Sequence, residues 1–405
     1  MSVPPPSRVA ALARLAEFAP AMGRAYAAGR NHDHGPANRG NVSCLSPHVR
    51  HRLVTEAELV ATALARHSPA ACEKFVQEVF WRTYWKGWLE QRPSVWLRYQ
   101  ADLGGAVDAL ATQGGLRRAY EDAVSGRTGI ACFDAWAREL VETGYLHNHT
   151  RMWFASIWIF TLRLPWVLGA DLTYRHFMDG DPASNTLSWR WVAGLHTRGK
   201  HYLARAANIA EYTAGRFDPA GELDERAAPL EEDAPTPALP LPPPDAAPEG
   251  PVALLLTEED GLAETWALGR ARVVALGAFA QPAPRSPLAL GAMAERFVAG
   301  ASDDALARAA AHYALGAERL ADAAAVAAWA KGAGAAAVVT AHAPVGPVAE
   351  RLAALAPVLA AEGVRLIRLR RAWDEAIWPH ATRGFFQVKD RIPSLLRSLG
   401  QAGAG

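Results

Sequence analysis

Residues 179–191 read DGDPASNTLSWRW, with Asp179, Asp181, Asn185, Trp189 and Trp191 inside thirteen positions. If the run from Ser184 is helical, Asn185 and Trp189 fall at i and i+4 on one face, and both aspartates lie in the preceding turn. Upstream, HNHTRMW supplies His147, Asn148, His149 and Arg151. An arginine from one helix and an aspartate from the turn before another can form a bidentate pair. Set among aromatic rings, such a pair is a fixed polar frame for a planar heteroaromatic ligand.

Each residue also has a plainer role. Tryptophans at helical spacing usually fill a core, and an aspartate before a proline-led helix makes a turn or an N-cap. His147 and His149 diverge on a helix and have no obvious third partner, so no metal site is expected. The concentration of these types in one stretch favours a site over independent structural uses.

The elements that must position them differ along the chain. EKFVQEVFWRTYWKGWLEQR spaces Phe75, Val79, Trp81, Tyr84, Trp85 and Trp88 as a helix with a wide apolar face requires. ACFDAWARELVETGYL does the same with Phe133, Trp136, Leu140 and Val141, and Gly144 stands where a C-terminal cap would. Residues 1–228 therefore read as an all-helical domain. Residues 229–251, PLEEDAPTPALPLPPPDAAPEGP, are too proline-rich for regular structure and read as a semi-rigid linker. Residues 252–405 alternate short apolar runs (252–257, 271–279, 335–343 and 364–369) with alanine-rich helical segments such as 347–361. That pattern predicts a smaller α/β domain with a parallel sheet. No G-x-G-x-x-G or P-loop follows the first strand; in APVGPV, Gly346 is positioned to open a helix and offers a weak phosphate-site signal. Ten of the fourteen tryptophans precede the linker, which puts the special chemistry there.

Composition narrows the class further. Lys and Arg total 42 against 41 Asp and Glu, a net charge of +1, so bulk charge names no partner. Locally, Thr186 to Arg216 carries five basic residues against one acid, a surface able to attract a phosphate backbone. Cys44, Cys72 and Cys132 make no zinc spacing and fit a reduced, cytoplasmic protein. The N-terminal residues lack a secretory signal, and the most apolar run, Met152 to Leu162, is too short to span a bilayer. A soluble protein with no membrane partner is expected, with a monomer as the default.

Three stretches, FVQEVFWRTYWKGW, GRTGIACFDAWARELVETGYLHNHTRMWFASIW and DGDPASNTLSWRWVAG, occur in an order that resembles the FAD-binding domain of the DNA photolyase/cryptochrome family. The resemblance covers roughly the first 220 residues, and implies a noncovalent FAD held in a helical bundle. It implies that Tyr26, Ser43, Leu45 and Ser46 hold the phosphates. Arg151 and Asp179 would form the ion pair beside the isoalloxazine, with Asp181 a neighbouring contact and Phe75 a further flavin contact. Asn185 would face flavin N5, and Trp189 and then Trp166 would carry electrons to it. Trp96 is a candidate for the distal position.

On the substrate side the resemblance implies that Glu78 meets the carbonyls of a flipped cyclobutane pyrimidine dimer, Trp81 packs on it, and Asn148 marks the cyclobutane-type pocket rather than the (6-4) type. Arg82, His149, Trp191, Arg198 and Lys200 would lie on the nucleic-acid side. The implied partner is damaged DNA, single strands included. The implied activity is FAD-dependent, blue-light-driven repair by a lyase of the deoxyribodipyrimidine photolyase kind. The alternative is a cryptochrome-like photoreceptor without repair activity.

Departures from the pattern accompany the matches. Val42 replaces a hydroxyl residue, Phe75 a common tryptophan, His149 a phosphate-binding arginine, and HVRHR (48–52) an aromatic-glycine segment. The antenna domain usual at the N-terminus is not seen before the FAD-binding pattern. The C-terminal half faintly resembles that domain, relocated; an antenna chromophore is not implied.

Overall fold

A computed structural model describes residues 3–232 and 237–400. The helical half is built around the long helix Pro69–Glu90. Pro93–Thr112 and Pro182–Ala193 pack against it, and Ala131–Thr143, Asn148–Ser156 and Trp166–His176 complete the same core. Gly144 closes the Ala131 helix in the left-handed conformation, as its position suggests. Within the run Met152–Leu162, residues 153–160 are buried in protein, and its helix passes into a π turn at Ile157–Thr161. Among the described residues no helix is long and apolar enough to cross a membrane.

The second half contains five parallel strands, β1 (Glu249–Leu256), β2 (Arg270–Phe279), β3 (Ala317–Leu320), β4 (Ala337–Ala341) and β5 (Arg365–Leu369), in the order β3-β2-β1-β4-β5. Alternate residues of β1 serve opposite faces. Ala253 and Leu255 pack with Val326, Leu352 and Leu355, whereas Val252, Leu254 and Leu256 pack with Ala305 and Ala309. Both faces of the sheet are therefore covered by helices, which explains why its inner strands read as continuous apolar runs. The chain is an all-α domain followed by a smaller α/β domain with a parallel sheet.

The halves share more than a linker. Residues 372–398, which the sequence reading assigns to the α/β unit, contribute Trp373, Ile377, Phe385, Val388 and Leu395 to the helical core. Of the expected linker, 233–236 lie outside the described residues and Glu249–Pro251 already belong to the first strand of the second half, while residues 237–248 are tied to the surface by bonds such as Leu239 N–H to Gln91 O (2.7 Å) and the Arg368–Asp245 ion pair. Gly346 does open the helix Pro347–Ala361, but a Cβ there would lie 2.5 Å from Pro182 Cγ. The glycine serves a close approach between halves, rather than an open phosphate site.

The HVRHR segment is the main joint. His51 Nδ1 lies 2.7 Å from Glu258 O, and Gly261 N–H donates to His51 O (2.8 Å). Arg50 forks onto Glu259 at 2.7 and 2.6 Å. Arg52 pairs with Asp374 (2.6 Å) while holding a left-handed backbone, φ 46°. That conformation costs an arginine about 1–2 kcal/mol, and the buried ion pairs to Asp374, Asp260 and Glu56 hold it in place.

Candidate functional site

A cavity of about 620 Å³ opens between the helices of the first half. Every residue expected at the cofactor lines it: Tyr26, Ser43, Leu45, Ser46 and Phe75, together with Arg151, Asp179, Asp181 and Asn185. Its volume falls within the range of about 300–1,000 Å³ usual for cofactor and small-molecule sites.

The polar frame forms as the residue types suggest. Arg151 donates to both Asp179 oxygens at 3.2 and 3.0 Å, with its guanidinium 3.9 Å from the Phe177 ring centroid and 5.2 Å from that of Tyr145. Burial raises the Asp179 carboxyl, but the Arg151 charge, the Ser46 side chain and the Arg82 charge together outweigh it and hold the group below the ordinary carboxylate range. Asp181 caps the Pro182 helix by accepting from Ser184 N–H at 2.8 Å through Oδ1. Its Oδ2 has no hydrogen-bond partner although Lys86, Arg50 and Arg82 stand 3.4–3.6 Å away. Lys86, Arg50 and Arg82 overcome the effect of burial and depress this carboxyl strongly. The carboxylate is thus a buried negative centre in the cavity wall, compensated by three cations.

Asn185 and Trp189 do share a face, and both touch Thr173. Its hydroxyl is 2.9 Å from Asn185 Oδ1 and 2.9 Å from Trp189 Nε1, while Asn185 Nδ2 donates to Ala170 O at 2.8 Å. One amide hydrogen of Asn185 stays uncommitted by these bonds. Thr173 was not singled out in the sequence, because its role arises where two helices meet and leaves no spacing signal. Trp189 meets Trp158 (6.3 Å) and Phe154 (6.5 Å) edge-on; Trp158 was likewise not singled out. Trp166 instead pairs with Tyr99 (5.8 Å), which leads to Trp96 (5.2 Å). Trp96 is covered by the second half and donates to Glu350 at 2.8 Å.

The substrate-side residues Glu78, Trp81 and Asn148 line the same cavity. Glu78 pairs with Arg30, a residue that sequence reasoning missed; burial raises its carboxyl above the ordinary value. Trp81 stacks on Phe385 at 3.8 Å and 16°. Trp191 also lines the cavity and stacks on Tyr202.

The nucleic-acid set divides. Arg198 and Lys200 are exposed on the turn after the Pro182 helix and lie away from the cavity wall. Arg82 points inward, donating to Ser46 O (3.3 Å) beside Asp181. His149 is buried against Trp153 (4.1 Å), with Nδ1 on Asn31 O at 3.0 Å, so its ring lies inside the wall and not on a phosphate-facing surface.

A helical bundle closing over a cavity with a buried ion pair and stacked rings has the form of a cofactor-binding domain. Residues 75–246 match the FAD binding domain of DNA photolyase. A deoxyribodipyrimidine photo-lyase of Streptomyces griseus is 36% identical over 160 residues, 38% of this chain and 32% of its own. One from Thermus thermophilus is 32% identical over 236 residues, 56% of this chain and 52% of its own. A solved class III photolyase from Agrobacterium tumefaciens aligns over 51% of this chain and 43% of its own, with 26% identity and a TM-score of 0.42. The chain spans about half, or less, of the length of these relatives. The likeness to DNA photolyases rests on the helical half.

Proposed function

We propose that the cavity binds FAD noncovalently and that the protein is a blue-light-driven lyase acting on cyclobutane pyrimidine dimers in DNA. One observation carries the reading: Glu78, Trp81 and Asn148 line the same cavity as the Arg151–Asp179 pair, Asn185 and Trp189. When bound, the flavin supplies a photoexcitable electron donor. The protein residues supply the rest. Arg151 and Asp179 offer opposite charges in fixed geometry to the ring edge, with the Asp181 carboxylate behind them. The uncommitted amide hydrogen of Asn185 can donate without adding charge. Glu78, held by Arg30 and raised by burial, places a carboxyl group beside a base carbonyl, and Trp81 presents a ring for a base taken out of its stack.

The test is repair by the purified full chain, reconstituted with FAD and photoreduced, of a thymine-dimer oligonucleotide presented as single strand and as duplex. Blue light should remove the dimers, and Glu78→Gln should lower the rate by about tenfold, the worth of one hydrogen bond to a charged or strongly polar group. Dimers left intact in both substrates would exclude the reading.

A second reading, a photoreceptor without repair, is favoured by the inward turn of Arg82 and the burial of His149. Under it, light changes the proteolysis pattern of the full chain and leaves dimers untouched.

A further inference from the structure

Three cations converge on Asp181 in the cavity wall, and one of them is held by the second half. Its side chain is 1% exposed, and three cations surround Oδ2: Lys86 at 3.4 Å, and Arg50 and Arg82 at 3.6 Å. Arg50 is claimed elsewhere. Nη1 and Nη2 donate to Glu259, in the loop after β1, at 2.7 and 2.6 Å, and Nε donates to Gly180 O at 2.9 Å. Lys86 is also 3.9 Å from Glu259. Three positive and two negative groups thus share one buried volume under the turn that carries Asp179 and Asp181.

The same turn is held from the second half by Arg285, whose Nη1 donates to Phe177 O at 3.0 Å and would lie 2.5 Å from a Cβ at Gly180. Arg50 belongs to HVRHR, one of the segments where the chain departs from its family's pattern. This wiring is a property of this chain and its α/β half.

We infer that the Arg50–Glu259 ion pair, one residue from each half, is a positioning element for the flavin site. Glu259 engages Arg50 and balances one of the cations around Asp181, and the pair fixes the charge against which the bound group is reduced. The inference rests on the reading that the cavity takes FAD. Its physical basis is that buried charges are weakly screened, so removing one from this cluster is felt across the cavity. Glu259→Gln leaves an uncompensated cation beside the site and favours the more negative, reduced flavin. Arg50→Gln removes a cation, leaves Glu259 beside Lys86, and disfavours it.

The experiment is spectroelectrochemical titration of FAD bound to the full chain, with free FAD as the added probe. Glu259→Gln should move the midpoint to more positive values by about 30 mV, a tenfold gain in affinity for reduced over oxidised flavin. Arg50→Gln should move it by a similar amount in the opposite direction. Because Glu259→Gln leaves a buried cation and can compromise folding, Arg50→Gln carries the test by itself where that variant does not fold. Midpoints equal to wild type in the folded variants overturn the inference and leave the flavin reading standing. Failure of the wild-type chain to take up FAD overturns that reading instead.

Discussion

Arg151 shows how much work one side chain does here. It bridges the turn holding Asp179 to the helix Asn148–Ser156 and lies flat against Phe177. Arg151→Leu would strand a buried carboxylate, at a cost of about 3 kcal/mol. The expected result is a lower urea midpoint with an unchanged m-value, together with loss of bound FAD; an unchanged midpoint would count against the pairing. Titration has a clear sign. Asp179 is depressed, so its contribution is present at neutral pH and fades as pH falls below about 4. Burial lowers His176 to about 4 and His196 to about 3. Both are neutral when folded, while the unfolded chain takes up their protons near pH 6.5, so stability falls as pH drops from about 6.5 towards 4. A Tm constant between pH 7 and 4 would contradict these assignments.

At the scale of elements, the helices Trp166–His176 and Pro182–Ala193 approach closely only because Gly169 lies between Trp189 and Trp158. A Cβ there would meet Trp189 Cη2 at 2.4 Å and Trp158 Cε2 at 2.8 Å. Gly169→Ala should therefore destabilise by about 2 kcal/mol through overpacking, with a matching drop in Tm and altered tryptophan fluorescence. A silent substitution would mean the two rings are not packed there. The helices around 73–92, 131–143 and 347–361 and four strands were legible as apolar patterns. β3 was not, because AERL sits at the sheet edge with three of its four residues exposed. The cavity set was readable because Arg151, Asp179, Asn185 and Trp189 lie in dense motifs. Arg30, Thr173 and Trp158 act through contacts between separate helices, for which a single sequence holds no spacing rule.

The whole molecule is less modular than its linker suggests. Trp373, Ile377, Phe385 and Leu395 complete the core of the first half, and Trp373 Nε1 donates to Thr83 at 2.9 Å. Thermal unfolding of the full chain should be a single cooperative transition, and a fragment ending at residue 232 should not fold; two resolved transitions would contradict the shared core. This joint was hidden in the sequence because its partners, Arg50, Arg52, Glu259 and Asp374, are charged residues far apart along the chain.

The central claim is that this shared architecture encloses a flavin. The most direct measurement is the visible absorption spectrum of the purified full chain after incubation with FAD and removal of the free cofactor. A structured flavin band at one FAD per chain, released unaltered on denaturation and lost in Arg151→Leu, is the expected result. A colourless wild-type protein, folded by circular dichroism, would contradict the account.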